Sequence, residues 1–207
     1  MTQDELKENL RQAGAYLEGH FALTSGKHSN AYVEKFQLLQ FPRLCGEVCK
    51  SLASWFEADK PAVDVVVGPA VGGILLAYET ARALHDRRKA LGWAGPWDVR
   101  GIFLEREEGK LVLRRGFEIK PTDRVLVVED VVTTGSSVFE VLEALKRERA
   151  EGRIVGVGFL VDRSSGKVNF GVPQKALMTL DLPAWDPVDC PLCKQGIPVT
   201  KRGSRKI

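Results

Sequence analysis

The stretch VLVVEDVVTTGSS, residues 125–137, decides the fold. Its first four residues are apolar and mostly β-branched, as a strand buried on both faces of a parallel sheet requires. Glu129 and Asp130 follow at or just beyond the carboxyl end of that strand, the edge outside which open α/β sheets bind ligands. Thr133, Thr134, Gly135, Ser136 and Ser137 then make a small, hydroxyl-rich turn into a helical pattern. Backbone N–H groups at a helix N-terminus, with hydroxyls beside them, cradle an anion. A glycine there lets the backbone approach a phosphate closely. Sugar hydroxyls are natural donors to carboxylates, so a phosphorylated sugar satisfies both halves of the stretch at once. Two acids alone would merely end a strand, and small residues alone would merely cap a helix. Their ordered coincidence carries the reading. The chain has no GxxxxGK[ST] loop and no GxGxxG opening a helix.

Working outward, a βαβ rhythm surrounds this stretch. VDVVVGPA (63–70) is a second continuous apolar run, GILLAYETARALHDR (73–87) has helical periodicity, and WDVRGIFLER (97–106) reads as a strand. EEGKLVLRRGFEIKPTD (107–123) is charged and Gly-bearing, and reads as a partly mobile loop. SSVFEVLEALKRERAEG (136–152) predicts a helix stopped by Gly152, RIVGVGFLVDR (153–163) a third buried strand, and KALMTLDL (175–182) a shorter last one. Upstream, Leu6, Leu10, Ala13 and Leu17 predict a helix over 2–19, and Pro42 opens another that runs to about Phe56. Between them lies a strand–turn–strand in HFALTSGKHSNAYVEKF. The expected architecture is α/β, a mostly parallel central sheet flanked by helices. It spans residues 1–182 with a small N-terminal hood in 1–40, and 183–207 is expected to be an extended surface tail.

The 207 residues suit one domain, with 44% hydrophobic and 28% charged residues. A net charge of +3 is too mild to argue for nucleic acid. No segment has the roughly 18 continuous apolar residues of a membrane span, and the polar N-terminus lacks a signal core. The expectation is a cytoplasmic protein with no membrane or nucleic-acid partner.

VLVVEDVVTTGSS resembles the phosphoribosyl pyrophosphate-binding motif of type I phosphoribosyltransferases. The resemblance implies that fold, and implies that Glu129 and Asp130 bind the ribose hydroxyls. The run through Val131, Val132, Thr133, Thr134, Gly135, Ser136 and Ser137 would hold the rest of the donor, with the 5′-phosphate on the hydroxyl-rich turn. VGPAVGGILLAY (67–78) is similar to the family's pyrophosphate loop, with Ala70, Val71 and Gly72 facing the diphosphate. A tight turn needing glycine only for packing is the other reading of those residues.

Three further segments resemble the orotate-specific members. FALTSGKHSNAYVEKF (21–36) is similar to their base-covering segment, which implies base contacts from Thr24, Lys27 and Tyr32, with Thr133 beneath. FLEREEGKLVLRRGF (103–117) stands at their flexible catalytic loop, which implies that Arg106 and Lys110 engage pyrophosphate. FLVDRSSG (159–166) ends in Arg163, which would pair with the orotate carboxylate through its guanidinium fork. The chain departs from the pattern where Thr24 and Gly72 replace lysines, where Glu107 replaces another, and where the loop lacks histidine. Lys27, Arg114 and Arg115 are candidates to restore charge.

The resemblance implies transfer of ribose 5-phosphate to orotate, giving orotidine 5′-monophosphate and pyrophosphate. Asp130, Arg106 and Lys110 would be the catalytic residues and Mg²⁺ the cofactor, in a homodimer with shared sites. A purine phosphoribosyltransferase and a non-catalytic nucleotide sensor on the same fold are the alternatives. His20, His28 and His85 are isolated in sequence; His28 lies near the ligand or simply packs. Cys45, Cys49, Cys190 and Cys193 would suffice for a zinc site, but nothing in their spacing brings the pairs together. They are read as buried or surface thiols, and no protein metal ligand is assigned.

Overall fold

The computed structural model describes residues 1–23, 25–57, 63–92, 99–148 and 154–201. The apolar runs become neighbouring strands of one sheet: β3 (Val65–Pro69), β4 (Arg100–Glu107), β5 (Lys110–Leu113), β6 (Val125–Val132), β7 (Ile154–Asp162) and β8 (Gln174–Thr179). Their order is β5-β4-β3-β6-β7-β8, with only β5 antiparallel to its neighbour. Both faces are covered, which explains why these strands read as continuous rather than alternating runs. Val66, Leu126, Val128 and Leu160 join one apolar cluster with α3 (Pro42–Glu57) and α4 (Gly72–Ala90). Val65, Val67, Val125, Val127 and Phe159 join the other, with α5 (Ser136–Arg147).

Strand β3 leads through α4 to β4, whereas β6 leads through α5 to β7 on the opposite side. The chain therefore reverses its direction of winding between β3 and β6. The crevice outside the carboxyl ends of strands at such a switch point is where a ligand fits.

The hood is a separate sheet of three strands, ordered β2-β1-β9: β1 (Tyr16–Ala22), β2 (His28–Val33) and β9 (Thr200–Lys201). The helix expected over 2–19 stops early. α1 covers Gln3–Gln12, started by a reciprocal Thr2–Glu5 capping box. It ends before Gly14, which turns with φ +67°. Leu17 belongs to β1, paired with Tyr32 of β2. A short helix not foreseen, α2 (Lys35–Leu39), follows β2. Within 107–123 the chain folds back as strand β5, forming a tight β4–β5 hairpin through Glu108 and Gly109. The helix from Ser136 is capped at Glu148, and the expected stop at Gly152 lies outside the described residues. Residues 183–201 are not merely extended. They carry α6 (Pro191–Lys194) and β9, bury Cys190, and pair Trp185 with His28. Among the described residues no helix is long and apolar enough to cross a membrane.

Candidate active site

The end of β6 delivers two buried carboxylates. Glu129 and Asp130 are 6% and 5% exposed. Burial, and the negative charge of Asp130 beside it, push the Glu129 carboxyl up to about 8; Lys35 pulls weakly the other way. The Glu129 carboxylate accepts the Asp130 backbone N–H at 2.9 Å. Asp130 is held by Lys35, whose Nζ lies 3.2 Å from its carboxylate. The chain then turns through Thr133 and Thr134 into α5. Gly135 caps that helix with φ +76°, and a side chain there would strike Val168, Phe170 and Phe139. Thr134 Oγ1 accepts the Ser136 N–H, and Ser136 and Ser137 are exposed at the helix start. The N-cap residue Gly135 has no side chain to cap this N-terminus, which leaves its N–H groups after Ser136 for an anion.

The end of β3 forms the facing wall. The Ala70–Val71 peptide is cis, and α4 starts immediately afterwards at Gly72. A Cβ on Gly72 would collide with the Asp130 carboxylate. Any larger residue at this position would have to displace the Asp130 side chain from the loop. Together the walls enclose a cavity of about 460 Å³ lined by Lys35, Ala70, Val71, Gly72, Arg106, Glu129, Asp130, Thr133 and Ser137.

A second cavity of about 470 Å³ shares Lys35, Val131 and Thr133 with the first. The hood contributes Leu23, Ser25 and Tyr32, and the C-terminal segment contributes Leu182 and Ala184. Its charged members are Glu34, Lys35 and Arg163, the last just past β7. Asp162 shapes this corner by accepting the backbone N–H groups of Ser164 at 2.7 Å and Gly166 at 2.9 Å, and the Arg163 N–H bonds to Val132 O. The Arg163 guanidinium is largely desolvated, which lowers its pKa, and its buried Nε has no hydrogen-bond partner. Leaving such a donor unpaired costs about 1–3 kcal/mol. A bound carboxylate would recover that cost with bidentate geometry.

The residues singled out from sequence divide clearly. Glu129, Asp130, Val131, Thr133, Ser137, Ala70, Val71, Gly72 and Arg106 line the first cavity, and Tyr32, Thr133, Thr134 and Arg163 the second. Val132, Gly135 and Ser136 line a small recess at the start of α5. Lys27 is turned away, 3.6 Å from Asp186 of the C-terminal segment. Lys110 is exposed on the hairpin and lines neither cavity. Arg114 and Arg115 pair with Glu107 and Glu105. Arg106 is paired with Glu140 and with Gly109 O, both at 2.6 Å. Thr24 lies outside the described residues.

Lys35 is the residue that the sequence reading missed, and it lines both cavities. No local signal pointed to it, because the helix it opens, α2, was itself not foreseen and its partner Asp130 lies far along the chain.

Residues 37–176 match the model of the phosphoribosyl transferase domain. The orotate phosphoribosyltransferase of Pelotomaculum thermopropionicum is 50% identical over 207 residues, covering all of both chains. The chain belongs to the orotate phosphoribosyltransferase family. Another member, from Thermotoga maritima, is 51% identical over 98% of this chain and 99% of its own. The solved orotate phosphoribosyltransferase of Aeropyrum pernix shares the fold, with a TM-score of 0.61 at 24% identity over 84% of this chain and 93% of its own. The parallel sheet flanked by helices is the fold of the type I enzymes of this family.

Proposed function

We propose that this chain transfers ribose 5-phosphate from phosphoribosyl pyrophosphate to N1 of orotate, releasing pyrophosphate and forming orotidine 5′-monophosphate. One observation carries the reading. Two cavities meet at Lys35, Val131 and Thr133; the first ends in paired acids beside a helix start capped by a glycine, the second in a half-buried arginine whose buried Nε lacks a partner among the described residues. A sugar placed at the junction has its hydroxyls on Glu129 and Asp130 and its 5′-phosphate on the turn 133–137. Its C1 then faces a planar anionic base held by Arg163 and covered by Tyr32.

As the C1–oxygen bond lengthens, positive charge grows on the sugar and negative charge on the leaving diphosphate. The buried acids lie beneath the first. Lys35, the backbone of Ala70, Val71 and Gly72, and Arg106 surround the second. Such placed charges stabilise the transition state more than any covalent nucleophile would. The β4–β5 hairpin would fold over the diphosphate and exclude water, bringing Lys110 in with it. Magnesium suits this mouth, which presents carboxylate oxygens at one side rather than a closed cage. It would be held by substrate oxygens and water beside Asp130, and it would neutralise the diphosphate. Support for a homodimer comes from Leu75 and Tyr78, apolar side chains three apart on α4 that stand exposed.

The test is turnover with magnesium, the sugar donor and each of several bases. Orotate-dependent pyrophosphate release is expected, and turnover with adenine or xanthine but not orotate would overturn the reading.

A further inference from the structure

Far apart in sequence, His20, His28, Cys190 and Cys193 converge where the C-terminal segment lies on the hood. Their ligand atoms all fall within 4.8 Å of one another. His20 Nε2 is 2.9 Å from His28 Nδ1 and 3.4 Å from Cys190 Sγ, and Cys193 Sγ is 3.2 Å from His28 Nδ1. A tetrahedral zinc site, with Zn–N of ~2.0–2.1 Å and Zn–S of ~2.3 Å, sets its ligand atoms about 3.3–3.8 Å apart. The four atoms already stand close to that spacing. From these residues we infer a structural zinc site of Cys₂His₂ type that fastens the C-terminal segment to the hood.

Three features of local structure fit this assignment. Nδ1 of His20 lies 2.7 Å from Ile197 O. Donation to that carbonyl fixes the tautomer and leaves the Nε2 lone pair aimed at the cluster, as orienting partners of metal-bound histidines do. The β1–β2 pairing carries a bulge between Glu18 and Phe21, and the adjacent residues His20 and Phe21 are both buried. Regular alternation would turn one of them outward, so the bulge re-aims His20 inward. Cys190 is the N-cap of the single turn of α6 and Cys193 lies within that turn, a compact knuckle whose two sulfurs face the same point. With four protein ligands the site is closed, which marks it as structural rather than catalytic. Each thiol binds as a thiolate and its proton passes to solvent. Cys45 and Cys49 take no part, being buried among α3 and α4.

The place of the site explains a use for it. The hood supplies Leu23, Ser25 and Tyr32 to the base cavity and the C-terminal segment supplies Leu182 and Ala184, so the metal would tie together two walls of one pocket. That consequence rests on the transferase reading; the metal itself does not.

The experiment counts zinc in the full chain purified without chelator. One ion per chain is expected to survive gel filtration, and cobalt substitution is expected to give the intense visible bands of a tetrahedral thiolate site. Cys193 is exposed, so an unliganded thiol there would alkylate quickly; zinc should slow this reaction and chelator restore it. Cys193→Ser should lower zinc retention roughly tenfold or more. Less than a tenth of an ion per chain after reconstitution with zinc would overturn the inference. So would a Cys193 thiol whose reactivity ignores zinc, or a Cys190–Cys193 disulfide in protein purified under reducing conditions.

Discussion

The six-stranded sheet and the hood build the two halves of the site by different means. The donor half comes from strand ends. Val125, Leu126, Val127 and Val128 are fully buried, and the chain carries Glu129, Asp130 and the 133–137 turn out of that packed layer. Their positions follow from apolar burial on both faces of the sheet. The base half is assembled from pieces distant in sequence, a two-stranded hairpin, the 182–185 segment and the corner after β7. The hood strands bury only a few apolar side chains, Phe21, Ala31 and Val33. The Trp185–His28 backbone pair, the Lys27–Asp186 ion pair and the histidine–cysteine cluster join the hood to the C-terminal segment. A sheet edge can thus be preformed by the core while a cover is fastened by polar contacts, and the proposed function puts selection of the base under that cover.

The comparison breaks most readily at the acids. Replacing Glu129 with Gln and Asp130 with Asn together should lower kcat by at least about a hundredfold while circular dichroism stays native. Unchanged kinetics would remove the ribose site from β6. On the other half, Arg163→Ala deletes a charge-assisted contact of about 1.5–3 kcal/mol. The KM for orotate should rise about 10- to 100-fold, and the KM for the sugar donor should move little. Equal effects on both would mean that the halves are not separate. Lys35 lies at their junction, so Lys35→Ala should raise both KM values, by several-fold to about tenfold, and lift the Glu129 carboxyl further.

The smallest effect is a proton. The Glu129 carboxyl lies near 8 in the folded chain, above its ordinary 4.5. Between those values the native state binds more protons than the unfolded chain does, so this group's contribution to stability is fullest below about 4.5 and is lost as pH rises toward 8. Glu129→Gln should therefore flatten the fall of Tm with pH in that window. Ribose hydroxyls favour the ionised acid, so donor binding near neutral pH should release up to one proton. Calorimetry in buffers of different ionisation enthalpy reads this release.

What was legible in the sequence follows the same division. The strand ends, the acids and the helix start stand within short windows whose pattern is set by burial and turn chemistry, whereas Arg163 was picked out by the resemblance of its segment. Leu17 misled because its spacing continues a helical stripe, although Gly14 already ends the helix and Tyr16–Ala22 finds a partner in β2. Lys35 was hidden because its role depends on Asp130, which lies far along the chain and meets it only in the folded state. His20 and Cys190 are separated by 170 residues, and no local periodicity reports such a meeting. Lys27, chosen by its neighbourhood, was drawn instead to Asp186 of a segment that sequence alone left as a tail.

The most direct measurement is a crystal structure with orotate and a non-hydrolysable analogue of phosphoribosyl pyrophosphate. The ribose hydroxyls should lie within hydrogen-bond distance of Glu129 and Asp130, the 5′-phosphate against Thr134–Ser137, and the orotate carboxylate on Arg163. A 5′-phosphate seated away from the start of α5, or a ribose that touches neither acid, would contradict the account.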